Sequence, residues 1–180
     1  MRDKKVLFTT QAAMIAALYV ALTLLANALG LANYAVQVRF SEALTVLPYF
    51  TPAAVPGLLV GCALSNLLTG CLPLDILFGS LATLLGAVGT YLLRKHKLAA
   101  PIPPIVANTV IVPFVLAYVY KFDGSVPYFM LTVGIGEVIS CGVLGMILLG
   151  ILNKYRNVIF RQEQGDKISG LEQKDKKGLY

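Results

Sequence analysis

A chain of 180 residues with 57% apolar and 13% charged side chains departs from soluble globular domains, which carry about 45–50% and about 25%. Its net charge of +6 comes without a basic stripe interleaved with aromatics, which argues against a nucleic-acid partner. Of 24 charged side chains, 15 lie in Met1–Lys5 or Lys154–Tyr180, leaving nine in the 148 residues from Val6 to Asn153.

The first apolar run, Val6–Leu29, follows a basic start and contains Ala26-Asn27-Ala28, which resembles a signal-cleavage box. The run exceeds a signal h-region and further apolar runs follow, so it reads as a retained membrane span. Within it, QAAMIAALYVA sets Ala12/Ala16, Ala13/Ala17 and Ala17/Ala21 four residues apart. Such pairs stack on a helix face flat enough for close approach by a second helix. Docking of another protein and packing inside the bundle both satisfy this pattern. Leu31–Phe40 is expected to fold into the bundle as an outer cap. Ser41–Phe50 is a ten-residue segment, too short to cross a bilayer alone.

Thr51–Thr69, Ile76–Leu93 and Val126–Leu152 reach the length of a span, which needs about 17–25 residues. Pro101–Tyr120 is a fifth long segment, with Pro101, Pro103 and Pro104 in its first turn, where a missing N–H is tolerated. Pro113 is expected to kink it. Glycines in the third and last segments (Gly57, Gly61, Gly134, Gly142, Gly145, Gly150), with Cys62, read as close-packing positions. The three cysteines read as small core residues.

Topology follows from where the basic residues fall. If Ser41–Phe50 changes sides there are six crossings, and 13 of the 15 basic residues face the cytoplasm, leaving only Arg39 and Lys121 outside. If it does not, four lie inside and 11 outside. The positive-inside rule selects six crossings with both termini cytoplasmic. Residues 1–153 thus form a membrane domain and 154–180 a polar cytoplasmic tail, partly disordered.

Glu137 stands 11 residues into the last span, about 17 Å along a helix at 1.5 Å per residue. A carboxylate at that depth needs a polar cavity or a partner. It is either a ligand group or half of a structural contact with Arg39 or Asn108. In Gln37-Val38-Arg39-Phe40-Ser41-Glu42, Ser41 can cap the short helix and Glu42 sits in its first turn, where the helix dipole favours an anion. A structural Arg39–Glu42 pair explains the same charges. Asp75 begins the fourth span, as a ligand group or as an N-terminal helix charge. Asn66 and Asn108 are amides that require partners in lipid. Tyr34, Tyr118 and Tyr128 read as interface-belt residues.

His96 is the only histidine and lies in the basic loop, so no histidine metal cluster or histidine-dependent catalysis is expected. A P-loop, a GxGxxG motif and paired intramembrane acids are missing from the sequence, so neither an enzyme nor a bound cofactor is expected.

Six short spans, the AxxxA face, and the runs QVRFSEALTVLPYFTPAAVPGLLVGCALSN and LDILFGSLATLLGAVGTYL resemble the QueT family of queuosine-precursor transporters, over roughly Thr9 to Leu152. These are substrate-binding S components of energy-coupling factor (ECF) transporters. The resemblance implies an all-α, six-helix S-component bundle in a prokaryotic plasma membrane. It implies uptake of a 7-deazaguanine such as 7-aminomethyl-7-deazaguanine or queuine. It implies docking through Ala12, Ala13, Ala16 and Ala17 onto a transmembrane coupling protein, with ATP hydrolysed by two cytoplasmic ATPase subunits. The chemistry of the cargo suggests Glu137 for the N1–H and 2-amino edge and Glu42 or Asp75 for the amine. Asn108 and Gln37 would serve the carbonyl and ring nitrogens, with Arg39 as an alternative and Asn66 nearby. An S component for another vitamin, or a non-transport scaffold, are the rival readings.

Overall fold

A computed structural model describes residues 2–31 and 38–156. It is all-helical among these residues. Helix α1 (Arg2–Ala28) is followed by a 3-10 helix (Phe40–Tyr49), α2 (Ala54–Leu68), α3 (Pro73–Leu92), α4 (Ile102–Phe114), α5 (Val126–Glu137) and α6 (Gly145–Lys154). A π-helical stretch, Val115–Val119, prolongs α4, and another, Val138–Leu144, joins α5 to α6. Four helical stretches are long and apolar enough to cross a membrane: Lys4–Ala28, Pro73–Leu92, Lys97–Val119 and Val126–Lys154. The segment expected at Thr51–Thr69 is shorter than a full span, because its helix comprises only 15 residues. Thr51 and Pro52 belong to the turn that precedes it.

Large side chains such as Met14, Leu67, Leu77, Leu92, Leu131 and Ile147 are exposed around the outside, as a surface solvated by lipid requires. Between helices, small residues permit close contact. A Cβ built on Gly57 would lie 2.7 Å from the Ala12 carbonyl oxygen, and one on Gly61 3.1 Å from the Ala16 Cα. On the other side, a Cβ on Gly86 would meet the Pro104 Cα at 2.6 Å. The α1–α2 and α3–α4 pairs are therefore seated backbone to backbone, where dispersion contacts replace the hydrophobic drive that lipid cannot supply. Gly145 likewise faces Val46, and Gly134 lies against Thr109. Among the described residues nothing lies within 4 Å of a Cβ built on Gly150, so none of them realises the packing role expected of it.

The 3-10 helix is the centre of the bundle rather than a peripheral span. Ser41 through Pro48 are all buried, and the segment packs against α1, α3, α6 and the Val138–Leu144 stretch. Val46, Leu47 and Phe50 join Tyr19, Leu58 and Leu149 in one apolar core. Enclosure by protein resolves the length problem, since irregular backbone survives at membrane depth only where protein or a cavity covers it.

The expected Ser41 cap is not formed. Arg39 occupies the N-cap position without a side-chain cap bond, and the Ser41 hydroxyl instead accepts a bond of 2.8 Å from Thr23. Pro103 and Pro104 sit in the first turn of α4 as expected, whereas Pro101 is its N-cap residue. Pro113 lies inside α4, and two residues later the helix passes into π geometry, a response to the lost i→i−4 bond. Most of the expected Leu31–Phe40 cap, with Tyr34 and Gln37, lies outside the described residues, as does the tail beyond Arg156.

Candidate solute-binding site

Three elements bring polar side chains to the middle of the bundle. The 3-10 helix supplies Glu42 in its first turn, 2% exposed. Helix α4 supplies Asn108, and the end of α5 supplies Glu137, 4% and 8% exposed. The Asn108 amide donates to Glu42 Oε2 at 3.4 Å, and the Tyr19 phenol donates to Glu42 Oε1. The Cys141 thiol donates to Glu137 Oε2 at 3.1 Å. π geometry, which recurs at functional sites, begins immediately after Glu137. It carries Ser140, whose hydroxyl accepts the Arg39 backbone N–H at 3.1 Å, and Cys141. One irregular stretch thus ties the segment before the 3-10 helix to the helix bearing Glu137.

One oxygen of Glu42, one of Glu137 and the Cys141 sulfur all lie within 4.8 Å of one another. These three groups could together ligate a cation, although here the thiol proton is directed at Glu137. Among the described residues no guanidinium or ammonium forms an ion pair with Glu42 or Glu137. The structural Arg39–Glu42 and Arg39–Glu137 pairs entertained above are therefore absent from it.

The carboxylates border a recess of about 30 Å³ lined by Arg39, Glu42, Cys62, Asp75, Asn108 and Glu137, with Gly79 and Thr83. A larger chamber of about 240 Å³, bounded by Asn27, Asn66, Cys71, Leu116, Tyr120 and Phe122, shares Arg39, Asp75 and Val112 with it. Arg39 and Asp75 mark the junction between a vestibule and an inner recess. Three carboxylates against one guanidinium line the recess, a balance that favours a cationic or donor-rich solute.

Asp75, in the first turn of α3, accepts a bond of 2.8 Å from the Tyr120 phenol. The same phenolic oxygen accepts the Leu72 N–H at 3.3 Å, joining the α3 and α4 ends at the chamber. Asn66, 2% exposed, donates to the Cys62 sulfur at 3.7 Å. A Cβ on Gly79 would stand 3.1 Å from the Asn66 amide nitrogen. Glycine at this position leaves room for that amide.

Arg39, Glu42, Asn66, Asp75, Asn108 and Glu137, drawn from five parts of the chain, therefore line these two adjacent cavities, whereas Gln37 lies outside the described residues. Sequence reasoning missed Tyr19, Thr83 and Ser140, and it treated Cys62 and Cys141 only as core filler. Tyr19 had little signal, because Gln11 and Thr23 are also polar on the α1 face that carries Ile15. The cysteines had none, because a buried thiol and a cavity thiol look alike in sequence.

The alanine face divides in two. Ala16 is buried and Ala12 half-buried against α2, while Ala13, Ala17 and Ala21 are exposed on a face turned away from it. Tyr118 and Tyr128 are exposed, consistent with a belt position.

The sequence model of the family described as QueT transporter matches residues 9–154. No curated protein and no solved structure shows a significant match.

Proposed function

The chain belongs to the QueT transporter family, a family of transporters and not of enzymes, and on that premise we propose that it is the solute-capturing S component of an ECF importer for a queuosine precursor. The observation that carries the reading is the pair Glu42 and Glu137, buried and facing each other beside Asn108 at the end of a chamber. A 7-deazaguanine presents the matching groups. Its N1–H and 2-amino group are adjacent donors that one carboxylate accepts together, and the aminomethyl group of 7-aminomethyl-7-deazaguanine is cationic at neutral pH. Charge-assisted bonds of this kind are about twice as strong as neutral ones.

Glu137 takes the N1–H and 2-amino edge. Glu42 and Asp75, which border the same recess, balance the amine. Asn108 serves the carbonyl or a ring nitrogen, with Gln37 or Arg39 as a second contact, and Asn66 borders the entry. The recess, at about 30 Å³, is far smaller than the chamber of about 240 Å³, so the solute's body occupies the vestibule and its donor edge reaches inward.

Uptake energy comes from other chains. The exposed Ala13 and Ala17 stripe is the surface for a transmembrane coupling protein, and two cytoplasmic ATPases hydrolyse ATP. Ala12 and Ala16 act indirectly, by seating α1 on α2. The six-crossing topology, with both termini cytoplasmic in a prokaryotic plasma membrane, brings this assembly to the inner side.

Mass spectrometry of small molecules extracted from the purified chain, followed by calorimetric titration with 7-aminomethyl-7-deazaguanine, tests the proposal. A deazaguanine in the extract and saturable binding support it. Retention of an unrelated vitamin would assign a different cargo, and the absence of both bound solute and binding would favour a scaffold.

A further inference from the structure

Tyr19 belongs to α1, the long helix on which sequence reasoning placed no ligand contact. Its side chain is 1% exposed, and its phenol donates to Glu42 Oε1. Around it, α1 grips the whole 3-10 segment. Thr23 donates to Ser41 at 2.8 Å, and Thr51, just past the far end, donates to Gln11 Oε1 at 3.0 Å. Gln11, Tyr19 and Thr23 are spaced by eight and four residues, which places them along one helix face.

Glu42 needs such an anchor. It rides on the first turn of a 3-10 helix, whose hydrogen-bond geometry is poorer than that of an α-helix, and that turn has no side-chain cap. The Glu42 carbonyl is fixed by the Thr45 hydroxyl at 2.6 Å, but that bond does not orient the carboxylate. With Oε1 held by the phenol, Oε2 is the oxygen beside Asn108.

We propose that Tyr19 is the positioning residue of the solute site, clamping one carboxylate oxygen of Glu42 so that the other faces the cavity beside Asn108 and Glu137. The inference rests on the reading of this cavity as the solute site. Tyr19 touches no solute; it acts through Glu42, and it links the acid to the helix whose opposite face exposes Ala13 and Ala17.

The test is a double-mutant cycle on the full chain, with Tyr19→Phe, Glu42→Gln and the double variant titrated calorimetrically with 7-aminomethyl-7-deazaguanine. Tyr19→Phe keeps the ring against α2 and removes only the donor. It should weaken binding about tenfold, the effect of losing a hydrogen bond to a charged group. In the Glu42→Gln background the same change should alter affinity less than twofold, which a merely structural tyrosine would not produce. Binding by Tyr19→Phe within twofold of the unmodified chain, or an equal loss in both backgrounds, would overturn the assignment. A reduced number of sites at unchanged affinity would overturn it too, since the phenol would then serve folding alone. Failure of the unmodified chain to bind any deazaguanine is a different result: the solute reading falls and the Tyr19 assignment falls with it.

Discussion

Replacing Glu137 with glutamine separates a ligand group from a structural one, because the two roles move two measurements in different directions. The carboxylate accepts the Cys141 thiol at 3.1 Å, with the Asn108 amide also bonding to it, and lies within 4.8 Å of a Glu42 oxygen with no cation in ion-pair reach among the described residues. Two full charges no farther apart than that repel by at least about 3 kcal/mol at an effective dielectric of about 20. Glutamine removes this repulsion and retains the shape and an acceptor oxygen. The solute-free protein should therefore unfold at the same temperature or higher. Binding should move the opposite way: losing a charged acceptor for two solute donors weakens affinity by about 1.5–3 kcal/mol, roughly ten- to a hundredfold. Thermal unfolding in detergent and calorimetric titration of the same preparation give both numbers. Affinity unchanged within twofold removes Glu137 from the site. A clear fall in the unfolding temperature of the solute-free protein refutes the idea that the facing carboxylates await a solute, since the charge would then be part of the scaffold.

Tryptophan at Ala13 or Ala17, both exposed, should abolish uptake in cells while leaving solute affinity intact. At Ala16, packed against α2, the same change should reduce folded protein, measured by size-exclusion yield. Gly61→Val places a Cβ 2.7 Å from that of Tyr19 and 3.1 Å from the Ala16 backbone; forced separation of α1 and α2 should destabilise the chain by about 1–3 kcal/mol, read by thermal unfolding. Gly79→Leu, whose first carbon already lies 3.1 Å from the Asn66 amide, should crowd the recess and lower affinity at least tenfold without a matching loss of unfolding temperature. Tyr120→Phe removes the bond to Asp75 and should change affinity less than Glu137→Gln does, because that contact is partly open to solvent and worth about 0.5–1.5 kcal/mol.

Much of the site was legible because charge is so scarce in a lipid-facing sequence. Glu42, Asp75 and Glu137 are three of only nine charges between Val6 and Asn153, and each has to be justified at membrane depth. All three line one recess. The same reasoning was blind to groups that are inexpensive to bury. Tyr19, Thr83, Ser140 and the cysteines fit an apolar core and a polar cavity equally well, so their position decides their role. Helix geometry explains the divided alanine face: residues 12 and 16 differ from 13 and 17 by a rotation of about 100°. A spacing pattern contains both pairs and cannot say which one meets α2.

Length, apolar runs and charge placement by themselves determined a helical membrane protein, its approximate span boundaries and the family resemblance, because the hydrocarbon core constrains local composition directly. The tertiary structure alone decided that Phe40–Tyr49 is a buried 3-10 plug, that Arg39 forms no ion pair with either acid among the described residues, and that a tyrosine of α1 holds Glu42. Those outcomes depend on which faces of distant helices meet, a long-range matter on which local periodicity is silent.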